Sequence, residues 1–134
     1  MIRRLPLVGD PVRMGADHGA AYRADIRRYA DERVHLASNG SWAGRAATRD
    51  DVLGLATAML PAHRAYAPDL YAEMEAMALA SGLSAEEAVI VGGFTDFVDA
   101  VRARAGDAPE EDDCTAVLTR GFLAQTWEIG RAHV

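Results

Sequence analysis

Apolar residues recur at three- and four-residue spacing along most of the chain, and this pattern predicts helices. After the extended piece Leu5-Pro6-Leu7-Val8, Asp10 is placed to cap a helix with Pro11 in its first turn. Met14, His18, Ala21, Tyr22, Ile26, Tyr29 and Ala30 then form one stripe, with Arg and Asp on the opposite face. Gly15 and Gly19 lie four apart on that helix and would let another backbone approach closely. They cost roughly 1 kcal/mol of helix propensity each. Ser38-Asn39-Gly40-Ser41 reads as a loop.

A second helix follows Thr48, with Asp50 and Asp51 in its first turn and Val52, Leu55, Ala56, Met59 and Leu60 as its stripe. Pro61 is expected to kink or end it. A third helix starts near Pro68, carries Leu70, Met74, Met77 and Ala78, and stops at Gly82. Ser84-Ala85-Glu86-Glu87 is a capping box that opens a fourth helix through about Asp96 or beyond, and Leu83 before it is placed to staple onto that helix.

The pattern changes at Arg102. Residues 102–113 are polar and hold five acids, four of them in the run Glu110-Glu111-Asp112-Asp113, which reads as an exposed linker. Cys114 to Thr119 reads as a strand, Arg120-Gly121 as a tight turn, and Phe122 to Trp127 as the returning strand of a hairpin. The organisation is a helical leader, a linker, and a hairpin opening on Cys-Thr.

Composition narrows the classes. The net charge of -6 argues against a nucleic-acid partner or an acidic membrane surface. All 14 basic residues are Arg, and with the abundance of Ala and Gly this points to a GC-rich coding sequence, as in many bacteria. No apolar run approaches a membrane span, and the first ten residues are too broken for a signal peptide. The one Cys excludes an internal disulfide and fits a reducing compartment, so the cytoplasm is expected. His18, His35 and His63 have no metal-ligand spacing, so no metal and no cofactor are expected. On composition alone, Cys114 is a packed core residue.

Three segments alter that balance. Gly9-Asp10-Pro11-Val12-Arg13-Met14-Gly15-Ala16-Asp17-His18-Gly19 is similar to a Gly-x-Pro-x-x-x-Gly-x-x-x-Gly opening helix. Tyr66 to Ala78, followed by Gly82, resembles a helix that precedes a processing site. Asp113-Cys114-Thr115, leading to Ala124-Gln125-Thr126-Trp127, resembles a Gly-Cys-Thr strand and its Gly-Gln-Asn-Trp-Asp partner. In this order they resemble the autoproteolytic C45 peptidase-like family, which includes acyl-coenzyme A:6-aminopenicillanate acyltransferase. Asp113 stands where that family usually has Gly.

The resemblance implies an α+β fold: the N-terminal fragment of an αββα N-terminal-nucleophile sandwich, mostly helical leader plus the first β-hairpin. Residues 1–113 would be the leader ending in a processing linker, and 114–127 the start of the catalytic β-chain. The bond between Asp113 and Cys114 would be cut by the protein itself. The freed α-amine, with a pKa near 7.7–8.0, would accept the thiol proton. Cys114 would then be the nucleophile towards an amide or thioester carbonyl, in an acyltransferase or an amidohydrolase. Thr115 would orient it, and Gln125 and Trp127 would line the pocket. The partners would be a small-molecule acyl donor (an acyl-coenzyme A among the possibilities), an amine or water acceptor, and the protein's own C-terminal β-chain. This fragment alone would be inactive. Two alternatives stay open: a hydrolase of the same fold acting on linear amides or conjugates, and a non-catalytic helical interaction domain with Cys114 buried.

Glu128-Ile129-Gly130-Arg131-Ala132-His133-Val134 departs from the family pattern, which has Asp after the Trp. Back-translated as GAG ATC GGA AGA GCA CAC GTC, it matches a common short-read sequencing adapter from the second base. Residues 128–134 are therefore read as adapter read-through, with the true residue at 128 left open.

Overall fold

The computed structural model describes residues 4–41 and 43–106 with their side chains, and the backbone of 116–118 and 129–131. Six helices build its body: α1 (Pro11–Ala21), α2 (Arg23–Ser38), α3 (Arg49–Tyr66), α4 (Pro68–Ser81), α5 (Ala85–Gly92) and α6 (Phe94–Ala105).

Their starts follow local chemistry. Asp10 accepts a hydrogen bond from the Arg13 amide at 2.8 Å, and Pro11, which has no N–H to satisfy, opens α1. Thr48 and Asp51 form a reciprocal capping box at α3, and Ser84 and Glu87 form another at α5. Each satisfies orphan donors of the first turn. Gly82 and Gly106 end α4 and α6 in left-handed backbone, at φ of 81° and 90°, where a side chain would be strained.

Three boundaries differ from the sequence reading. The stripe from Met14 to Ala30 is split at Tyr22, whose φ of -120° and ψ of 23° turn the chain from α1 into α2. Gly93, at φ -136° and ψ 49°, likewise separates α5 from α6. Pro61 neither ends α3 nor halts it, since the helix continues to Tyr66. The missing proline N–H leaves the Thr57 carbonyl without its usual helical donor, a cost that the remaining turns absorb.

The main core joins four helices and a loop. Val34 and Ala37 of α2, Ala43 of the connecting loop, Val52 and Ala56 of α3, and Ile90, Phe94, Phe97 and Val98 of α5 and α6 are buried together. Leu55, Met59 and Val101 pack around them, half-buried. Helix α1 lies outside this cluster and rests mainly on α4. The contact depends on its two buried glycines. A Cβ at Gly15 would overlap the carbonyl oxygen of Glu73 and stand 3.1 Å from the Cβ of Ala76. A Cβ at Gly19 would overlap the Met77 carbonyl oxygen and stand 2.9 Å from the Cβ of Ala80. The two backbones thus touch, as packing glycines four apart allow.

Helix α4 is therefore covered on two sides, and this reassigns part of its expected stripe. Tyr71, Ala78 and Ser81 are buried, whereas Leu70, expected in the core, is 68% exposed. Ser81 is a buried polar residue whose hydroxyl donates to the carbonyls of Met77 and Ala78 at 2.7 and 3.0 Å, so its polarity is satisfied within the helix.

The expected α+β class is corrected: the described body is all-helical. Beyond it, β1 (Ala116–Leu118) pairs antiparallel with β2 (Ile129–Arg131). Each strand has three residues, and among the described residues this pair touches no helix. A sandwich layer needs a sheet whose apolar face is buried against helices, and a ladder this short supplies none. The register also differs from the predicted hairpin. A tight turn at Arg120-Gly121 would set Leu118 opposite Leu123, but Leu118 pairs with Ile129. β2 thus falls within the segment 128–134 that was set aside on sequence grounds. The α+β expectation rested on the resemblance, whereas the helical pattern came from the residues themselves.

Candidate functional site

The residues proposed for chemistry, Asp113, Cys114, Thr115, Gln125 and Trp127, lie outside the described residues. The structure fixes what flanks them. Helix α6 closes at Gly106, whose amide donates to the carbonyls of Arg102 and Ala103, and β1 begins at Ala116, two residues after Cys114. From Gly106 the chain reaches at most about 28 Å to Cys114, by the limit of ~3.3–3.6 Å per extended residue. Any surface that acts on Cys114 from the helical body lies within that radius of the end of α6.

A concavity lies at that end. A groove of about 210 Å³ runs between the loop at 43–47, the first turns of α3 and the last turn of α6. Val52, Leu55 and Val101 give it an apolar floor, and Arg45, Arg104 and Asp51 are its charged residues. Asp51 is held below the usual carboxylate range, first by the Thr48 hydroxyl, which donates to it at 2.6 Å, then by the Thr48 amide at 3.1 Å. The charge of Arg104 adds to this. Sequence reading did not single out Arg45 or Arg104, because neither belongs to a motif and only the fold brings them together.

A second groove, about 450 Å³, lies between α4 and the junction of α5 and α6. Tyr66, Leu70, Met74, Met77 and Val91 line it. Tyr66 and Leu70 are 92% and 68% exposed, so apolar surface stands open to solvent beside it. Nearby, the Arg64 guanidinium stacks over Tyr71 at 4.7 Å and donates to Glu75 at 3.1 Å. Its pKa is raised above the ordinary arginine value, first by the hydrogen bond to the Tyr71 hydroxyl and then by the charges of Tyr71 and Glu75. Glu86 is held low by a backbone hydrogen bond at its own amide, then by the Ser84 and Thr57 hydroxyls. These are helix-capping and surface arrangements; none presents a nucleophile with a base beside it.

The histidines are dispersed. His18 meets the edge of Tyr22 with ring centres 5.9 Å apart, and His35 Nε2 lies 3.2 Å from the Asn39 side-chain amide. His63 lines the larger groove. Among the described residues no three His, Cys, Asp or Glu side chains converge as metal ligands, and no helix is long and apolar enough to cross a membrane.

Two of the three segments that carry the resemblance are brought into contact. Gly9 to Gly19 forms the start of α1, and Tyr66 to Gly82 spans α4. The glycines of the first rest on the backbone of the second. The third segment lies outside the described residues. No family model, no curated protein and no solved structure matches the chain.

Proposed function

We propose that this chain belongs to a self-processing cysteine enzyme that transfers or hydrolyses acyl groups, with Cys114 as nucleophile. The observation that supports this reading is the α1–α4 contact. Two segments of the resemblance, some fifty residues apart, pack against each other through Gly15 and Gly19. The helical body then ends a short tether before Cys114.

In the proposed reaction the Cys114 thiolate attacks the carbonyl carbon of Asp113. The C–N bond breaks, its nitrogen takes a proton to become the α-amine of Cys114, and the Asp113 acyl group passes to sulfur. Water hydrolyses that thioester, freeing the Asp113 carboxylate and the thiol. In turnover the α-amine accepts the thiol proton and sulfur attacks the amide or thioester carbonyl of a small acyl donor. The donor's C–N or C–S bond breaks and its amine or thiol leaves with that proton. An acceptor amine or water then takes the acyl group from sulfur, its proton returning to the thiol through the α-amine. Thr115 orients the nucleophile, and Gln125 and Trp127 line the acyl pocket. An acyl-coenzyme A serves as substrate in the transferase form, and linear amides or conjugates in the hydrolase form. The lone Cys suits a reducing cytoplasm. Residues 128–134 are assigned to adapter-encoded sequence, which removes His133 from the chemistry.

A second reading is a helical interaction domain without catalysis. The exposed Tyr66 and Leu70 beside an apolar groove favour it. Intact mass of the protein expressed from its native gene separates the two: two pieces meeting at 113–114, abolished by Cys114→Ala, support the enzyme. A single intact chain supports the interaction domain.

A further inference from the structure

We propose that the groove at the end of α6 binds a short aliphatic carboxylate, with its chain on the Val52–Leu55–Val101 floor and its head between Arg45 and Arg104. At about 210 Å³ the cavity lies below the range of roughly 300–1,000 Å³ usual for drug-sized ligands, so its occupant is small. The floor is aliphatic and lined further by alanines, which suits a hydrocarbon chain.

Charge selects the head group. Among the described residues neither Arg45 nor Arg104 is held in an ion pair. Among the described residues that line the groove the acid is Asp51, which accepts from the amide and hydroxyl of Thr48 in the capping box that starts α3 and also feels the charge of Arg104. Among the described lining residues, two guanidinium groups and one carboxylate, which the charge of Arg104 also reaches, leave a net positive rim over an apolar floor. Guanidinium groups match a carboxylate with paired N–H donors, so an amphiphilic anion fits where a neutral alcohol or an amine does not. This inference does not rest on Cys114 or on the acyl-transfer reading.

The test titrates sodium octanoate into the full chain carrying Cys114→Ala, followed by amide NMR, so that self-processing plays no part. Saturable shifts centred on Ala43, Leu55 and Val101 are expected, with octan-1-ol and octylammonium markedly weaker. Arg45→Gln with Arg104→Gln should raise the Kd about tenfold, the effect of losing two partly solvated ion pairs. Both positions are exposed, and a far-UV spectrum establishes that the double variant is folded. Equal binding of octan-1-ol, an unchanged Kd in the folded double variant, or no saturable shift at millimolar octanoate would each overturn the proposal.

Discussion

Substituting Gly15 by Ala tests whether the α1–α4 contact is as close as the structure has it. In an exposed helix interior, Gly to Ala gains about 0.5–1 kcal/mol, because alanine loses less backbone entropy on folding. Gly54 supplies that reference within the same protein. It lies inside α3, and a Cβ built there meets nothing within 4 Å. At Gly15 the same Cβ runs into the Glu73 carbonyl, which belongs to the α4 backbone and cannot rotate aside. Overpacking costs about 1–3 kcal/mol where side chains can yield, and a backbone obstacle lies at the upper end of that range. The expected balance is a gain of about 0.5–1 kcal/mol for Gly54→Ala and a loss of about 1–2 kcal/mol for Gly15→Ala. For a domain of this size, Tm then moves by roughly 3–5 °C per kcal/mol, upward for the first and downward for the second. Gly15→Ala with Gly19→Ala should cost less than twice the single change. Once α1 has left α4, no further clash remains to be relieved. Urea titration followed at 222 nm gives the midpoints. If Gly15→Ala shifts the midpoint upward alongside Gly54→Ala, the close approach is refuted, and with it the structural link between the two helices.

Three further outcomes follow from the same structure. Phe97 is fully buried at the centre of the main core, so Phe97→Ala should lower stability by about 3–5 kcal/mol in urea unfolding. Asp51 and Glu86 both have folded pKa values below their unfolded ones, so their contribution is complete above the ordinary carboxylate range and is lost as pH falls through the folded values. Urea midpoints should therefore drop between about pH 5 and pH 2, and Asp51→Asn with Glu86→Gln should flatten that drop. Thr48→Ala removes the side chain that caps α3 and should cost about 1 kcal/mol, with the helical spectrum otherwise retained.

What the sequence reveals about this fold divides by the range of the interactions. The caps at Asp10, Thr48, Ser84 and Gly82 are local, each set by residues within a few positions, and they stand where the pattern places them. The break at Tyr22 has no local cause. Tyr is acceptable within a helix, and the stripe continues through it, but α1 must turn to lie on α4. At Gly92-Gly93 the signal is present in the sequence, yet α5 and α6 share an apolar face that periodicity reads as continuous. Leu70 shows a further limit, because a stripe does not say which of its residues a neighbouring helix covers. The packing role of Gly15 and Gly19 was visible, whereas their partners Glu73 and Met77 contribute carbonyl oxygens that no side-chain pattern encodes. The groove with Arg45 and Arg104 joins residues nearly sixty positions apart and has no motif. A Gly turn favours a hairpin at Arg120-Gly121, whereas the described ladder sets Leu118 against Ile129.

The proposed function requires Cys114 to cut the bond before it and then to carry the acyl group. The direct measurement is the intact mass of the protein expressed from its native gene, with Cys114 and with Cys114→Ala, after incubation at neutral pH. Two pieces, divided between Asp113 and Cys114, are expected for the first, and one uncut chain for the second. Cleavage that persists in Cys114→Ala, or an uncut chain with Cys114 in place, contradicts the proposed function.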